Sequence, residues 1–218
     1  MASEVEICNL ALSNIRAGSI NSLTESSLQA QLCKLKYPIF RDRCLREIPW
    51  QFNRKIRELA SVTTNIFNWS YAYSYPVDCL KIHRLVGEYE EVQEGGNDFV
   101  SRLLDSRVRV ATDLRKQIPY EVFNFDDTKT IGANQPNLRI DFASKVTDPN
   151  LFSDDFILAL SHLLASELAI PIVGAELGRA LRNDSLQLYK EYLGSAIATD
   201  MNDQFLTPAE SDYVNVRN

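Results

Sequence analysis

Adjacent carboxylates occur at Glu90-Glu91, Asp126-Asp127 and Asp154-Asp155. Such pairs divide acid and base work when both face one substrate and their surroundings push their pKa values apart. The spacing argues against that chemistry, because neighbours on a strand point to opposite faces and neighbours on a helix do not face each other. Asp154-Asp155, directly after Ser153, also suits a helix start, where acids are favourable against the dipole. Ser161-His162 with Glu167 nearby offers a nucleophile, a base and an orienting acid, but consecutive helical positions diverge, so no serine triad is built locally. No phosphate-binding glycine loop, dinucleotide fingerprint, nucleophile elbow or HExxH zinc motif is present. Cys8, Cys33, Cys44 and Cys79 lack CxxC spacing, and His83 and His162 are too few and too distant to complete a zinc set. The thiols read as core residues of a protein made in a reducing compartment. The chain is expected to be non-enzymatic, with no catalytic, metal-binding or cofactor-binding residues.

Three other features could meet a partner. Trp69, Tyr71, Tyr73 and Tyr75 share one face if that segment is extended. Such a ladder would suit an α+β carbohydrate-binding module, although aromatics at period two more often pack a sheet. Arg41, Arg43 and Arg46, with Asp42 interleaved, read as a solvated helix face. Residues 201–218 are polar, with Phe205, Leu206, Tyr213 and Val214 spaced along them and no periodicity. They are expected to form an extended C-terminal tail that either frays or orders by docking on a neighbour through its apolar side chains.

The chain has 218 residues, enough for one domain or two small ones, and enough to bury a core without metal or disulfide staples. It is 45% apolar and 24% charged, as in an ordinary globular domain. A formal charge of −6 argues against a basic surface that wraps the phosphate backbone. The deficit is uneven: residues 1–49 carry 6 basic and 5 acidic side chains, 50–150 carry 13 and 14, and 151–218 carry 4 and 10. Met1-Ala-Ser-Glu-Val-Glu lacks the basic start and apolar run of a signal peptide. The apolar run at 156–173 is interrupted by Ser161, His162, Ser166, Glu167 and Pro171, which makes it too polar for a membrane span.

The elements that must carry these residues fall into three blocks. Ser3 and Glu6 have capping-box spacing ahead of Cys8, Ala11, Leu12 and Ile15, with Gly18 as terminator. Ser26 and Gln29 repeat that signature before a stripe of Leu28, Leu32, Leu35, Ile39 and Cys44, with a kink or break expected near 34–37 ahead of Pro38. From 50 to 150 the alternation is β-type, in short runs at Phe52–Leu59, Trp69–Tyr75, Cys79–Val86, Phe99–Leu104, Arg107–Ala111, Tyr120–Phe125 and Leu138–Phe142. The piece from Gly132 to Asn137 reads as a turn. Ser153 then caps an apolar helix, Pro171 and Gly174 mark a bend, and a further helix carries Leu177, Leu181, Leu188 and Tyr192 on one stripe. The fold class expected is α+β: a helical bundle from 1–49 and 151–200, an inserted, mainly antiparallel β unit at 50–150, and a tail at 201–218.

Four segments carry a likeness to a known family. Ile7–Leu23 (ICNLALSNIRAGSINSL) and Tyr37–Phe52 (YPIFRDRCLREIPWQF) resemble the tail tubular protein A family, the head-to-tail adaptors of short-tailed bacteriophages. Tyr73–Ile82 (YSYPVDCLKI) and Phe156–Pro171 (FILALSHLLASELAIP) look like later blocks of the same pattern. The resemblance implies a structural virion protein made in the host cytoplasm. Such a protein is one subunit of a homo-oligomeric ring, typically of twelve, that joins the portal protein to the tail nozzle protein. Genome DNA passes through such a ring without specific binding, and no membrane or cofactor is involved. Phe205, Leu206, Tyr213 and Val214 become the expected portal anchors. The acids of the last third are expected to contribute to the lumen, where like charge lets a duplex slide. Another head-completion protein or a tail terminator is the nearest alternative reading.

Overall fold

A computed structural model of the chain describes residues 2–62, 68–87 and 118–202. Glu90-Glu91, the runs at Phe99–Leu104 and Arg107–Ala111, and the tail residues Phe205, Leu206, Tyr213 and Val214 lie outside the described residues. The fold is α+β, with four helices and two antiparallel sheets among the described residues. It divides into a helical unit, running from the chain start to Cys44, through Trp50–Phe52 and from Asp148 onward, and a β unit of Leu45–Pro49 and Asn53–Thr147.

In the helical unit, α1 spans Glu4–Asn14 and opens on the expected capping box. Ser3 Oγ accepts from the Glu6 amide at 3.1 Å, and the Glu6 carboxylate accepts from the Ser3 amide at 2.7 Å. The helix stops before Gly18, because Arg16 already takes the left-handed conformation at φ 57°. Helix α2 spans Leu28–Glu47. Its cap is Ser27, one residue after the expected Ser26, with Ser27 Oγ accepting from the Ala30 amide at 3.3 Å. No break occurs near 34–37. Pro38 and Lys34 are both exposed, so the carbonyl that the proline leaves without a donor can be met by water.

Ser153 caps α3, Asp154–Val173, as expected, and Gly174 at φ 96° ends it. Pro171 lies inside α3, so the bend falls at Gly174 alone. By length and composition α3 is apolar enough to cross a membrane, contrary to the expectation from its polar interruptions, but most of it is buried inside the protein. Helix α4, Ala175–Asn202, packs back along it. Glu167 on α3 ties the helices together, lying 4.0 Å from Lys36 on α2 and 3.5 Å from Arg182 on α4, while Lys36 Nζ donates to the Glu167 carbonyl at 2.6 Å.

Gly178 sets how closely α3 and α4 approach. A Cβ there would lie 2.9 Å from the Ala169 carbonyl oxygen and 2.9 Å from Ile170 Cα, both backbone atoms that cannot swing aside. Gly178→Ala is therefore expected to destabilise the helical unit by about 1–3 kcal/mol in urea unfolding, overriding the alanine's better helix propensity. A stabilised variant would show that the helices have slack.

In the β unit, β1 (Arg54–Glu58), β7 (Arg139–Ser144) and β4 (Cys79–Val86) form one sheet in the order β1-β7-β4. A second sheet runs β2 (Ser61–Val62), β3 (Tyr71–Ser74), β6 (Thr128–Ala133), β5 (Tyr120–Phe125). A core containing Tyr73, Leu85, Ile131, Leu138, Ile140 and Phe142 draws on both. Strand β6 was not expected, since Gly132 and Ala133 end it rather than opening a turn. Gly132 is needed there because the Trp69 ring lies across it, 2.6 Å from where a Cβ would sit. Bulges in β4 let Ile82 and Leu85, three residues apart, both face the core and turn Arg84 to the other side.

Candidate functional site

Among the described residues, the adjacent acids and the Ser161-His162 pair are accounted for by local structure. Asp126 and Asp127 have φ of 45° and 58° and form the two-residue turn between β5 and β6, whose I′ geometry needs positive φ at both positions. Asp154 and Asp155 occupy the first turn of α3. Ser161 Oγ donates to the Leu158 carbonyl at 2.8 Å, and the adjacent His162 ring stacks on Tyr192, centroids 5.1 Å apart, with Nδ1 3.4 Å from Asn14 Nδ2. No cluster of three potential metal ligands gathers among the described residues. All four cysteines are buried and free, as core thiols should be.

Burial lowers the His162 pKa, so the fold holds the ring neutral. An unfolded histidine takes up its proton near its ordinary value of about 6.5, while the folded one resists. Its stabilising contribution is thus complete above that value and is lost as pH falls through the lower, folded value. The urea midpoint of the helical unit, followed by Trp50 fluorescence, is expected to fall as pH is lowered from about 7.5 to about 5.5. His162→Phe, which keeps a ring against Tyr192, should flatten that slope; an unchanged slope would assign the pH dependence elsewhere.

The densest charge constellation is in the three-stranded sheet. Asp141, 1% exposed, accepts from Arg54 Nε at 2.9 Å and Nη2 at 2.7 Å, and from Arg84 Nε at 3.0 Å. Burial alone would raise the carboxyl pKa, but the Arg54 and Arg84 hydrogen bonds and charges outweigh it and hold it below the ordinary value. Asp78 repeats the arrangement at the surface with Lys55 and Arg57, each 3.2 Å away. Both acids have their cations satisfied, so these clusters hold strands together and offer no vacant charge.

The aromatic ladder does not make one exposed platform. Tyr73 is in the core, its hydroxyl donating to the Gln135 carbonyl at 2.6 Å. Trp69 covers Gly132 and donates to Glu121 at 3.0 Å, and Tyr75 is half-buried under Lys129, whose Nζ lies 3.7 Å from the ring centre. Tyr71 alone of the four is exposed. Arg41 departs from the solvated-face expectation as well: it is buried over Tyr37, 2.7 Å from Asp42 and 4.0 Å from Glu4, while Arg43 and Arg46 are exposed.

Exposed apolar side chains among the described residues occur in both units, Ile56 and Val77 among them, and two sets lie on the outer faces of helices. Of the stripe expected on α2, Leu28, Leu35 and Ile39 face outward, 53%, 63% and 60% exposed, whereas Leu32 is half-buried and Cys44 is buried. The buried side, about 180° around at 100° per residue, carries Ala30, Cys33, Tyr37 and Cys44. On α4 the expected stripe is split, since Leu181 and Tyr192 are half-buried and Tyr192 stacks on His162. Gly178, Ser185, Tyr189 and Ala196 are buried, whereas Leu177 and Leu188 are exposed. Contiguous exposed aliphatics mark interaction surfaces in soluble proteins. The chain matches no protein-family model and no curated protein.

Proposed function

We propose that the chain is a structural adaptor subunit of a phage virion. It assembles into a ring that joins the portal protein to the tail nozzle protein and leaves a passage for the genome. The observation that carries this reading is the outward apolar face of α2, three large aliphatic side chains more than half exposed on one helix of a lone subunit. The ordered resemblance of four segments to the tail tubular protein A family supports it, as does the α+β build which that resemblance implies. The work is done by surfaces, without catalysis, metal or cofactor. An excess of acids in residues 151–218, 10 against 4 basic side chains, favours a wall past which DNA slides.

The portal contact is assigned to the tail, with Phe205, Leu206, Tyr213 and Val214 as anchors. Deleting residues 203–218, which leaves α4 whole, is expected to abolish capture of the cognate portal protein in a pull-down while the helical signal in circular dichroism is retained. Undiminished capture would remove the tail from the contact, and failure of the full chain to bind portal at all would overturn the adaptor reading.

A further inference from the structure

We propose that the outer face of α2 seats on the outer face of α4 from a second copy of the chain. This deepens the ring-subunit reading and rests on it for the assembly served; the pairing itself is argued from the two helix faces. Leu28 and Ile39 on α2 stand at the same interval as Leu177 and Leu188 on α4, so both faces present aliphatic side chains at matching heights. Aligned in parallel, Leu28 meets Leu177, Leu32 meets Leu181 and Ile39 meets Leu188, while Leu35 falls at the height of Asp184.

Charge selects the partner. Beyond Ile39 the α2 face continues into Arg43, exposed and without an ion pair among the described residues. Beyond Leu188 the α4 face continues into Glu191, also exposed, and the parallel register brings it within one helical turn of Arg43. A basic-ended apolar stripe therefore finds its complement on the other face of the same protein. Because the two faces differ, the contact is head-to-tail: each copy leaves one α2 face and one α4 face for its neighbours, the type of contact from which rings are built when the rotation between copies closes. Neither stripe repeats the other's charge, and a parallel α2–α2 pair, unlike the α2–α4 pair, would bring Arg43 side chains together.

Disulfide trapping in the full-length chain tests the pairing. Ile39→Cys chains are mixed with Leu188→Cys chains, at high concentration and again with portal protein added, under copper-catalysed air oxidation. Both substitutions lie on exposed surface, so folding is preserved. A linked dimer should dominate in the mixture and be nearly absent from either variant alone. Arg43→Glu in the first chain should lower its yield several-fold, and Glu191→Lys in the second should restore it. Linkage in the Ile39→Cys chain alone, linkage of Leu28→Cys with Leu188→Cys in its place, or no linked product would each overturn the pairing. Linkage without portal binding by the full chain would keep the pairing and sink the adaptor reading. Portal binding without linkage would do the reverse.

Discussion

Phe156→Ala is expected to destabilise the helical unit by about 4 kcal/mol, within the range for deleting a fully buried aromatic ring. Phe156 is wholly buried on the first turns of α3. Its ring stands edge-on to Trp50 at 5.1 Å and an interplanar angle of 90°, meets Phe52 at 5.2 Å, and lies 4.7 Å from Phe152. The four rings come from two stretches far apart in the chain, so this cluster closes the unit as well as filling it. Trp50 is further pinned by its indole donating to the Cys44 carbonyl at 3.0 Å. Truncation removes edge-to-face contacts on several sides and leaves a cavity lined by rigid rings that cannot collapse into it. Urea unfolding read by Trp50 emission, in a Trp69→Phe background that silences the other tryptophan, measures the loss. A cost below about 1 kcal/mol would mean that the cluster relaxes freely and is not the keystone described.

The second large effect is expected at Asp141→Asn, about 3 kcal/mol against the β unit. Breaking a buried ion pair by removing one partner is costly because the remaining charge is left without compensation. The arginine side chains are 30% and 28% exposed and can recover some hydration, which places the cost at the lower end of that range. An asparagine offers one accepting oxygen where the carboxylate serves three N–H donors, and its amide protons would face guanidinium groups. The wild-type contribution is present above the ordinary carboxylate value and is lost as pH falls through the depressed, folded value. The variant should lack that acid-side slope. Amide hydrogen exchange in β4 and β7 reads the effect locally; unchanged protection there would show that the strands do not depend on the carboxylate.

Features set by near neighbours in sequence were legible without coordinates. The Ser3–Glu6 capping box, the Ser153 cap and strands Cys79–Val86 and Tyr120–Phe125 fall where spacing and flanking turns put them. Strand β6 was hidden because Gly132 signals a turn locally, whereas its real reason is the Trp69 ring lying across it. The inward side of α2 was misread for a different reason: small and polar residues such as Ala30, Cys33 and Arg41 face in, and the bulkier Leu35 and Ile39 face out. Hydrophobicity alone chooses the wrong face when the larger aliphatic side chains are the ones turned outward. The Arg54–Asp141–Arg84 cluster had no local signal, since its members meet only through strand pairing.

The central claim is that this chain builds a ring on a portal. Electron microscopy of the full-length protein mixed with its cognate portal protein tests it most directly. A closed ring of copies seated at one end of the portal, with the axial passage open through both, is the expected result. Bare portal particles beside free subunits, at concentrations where both proteins are folded, would contradict it.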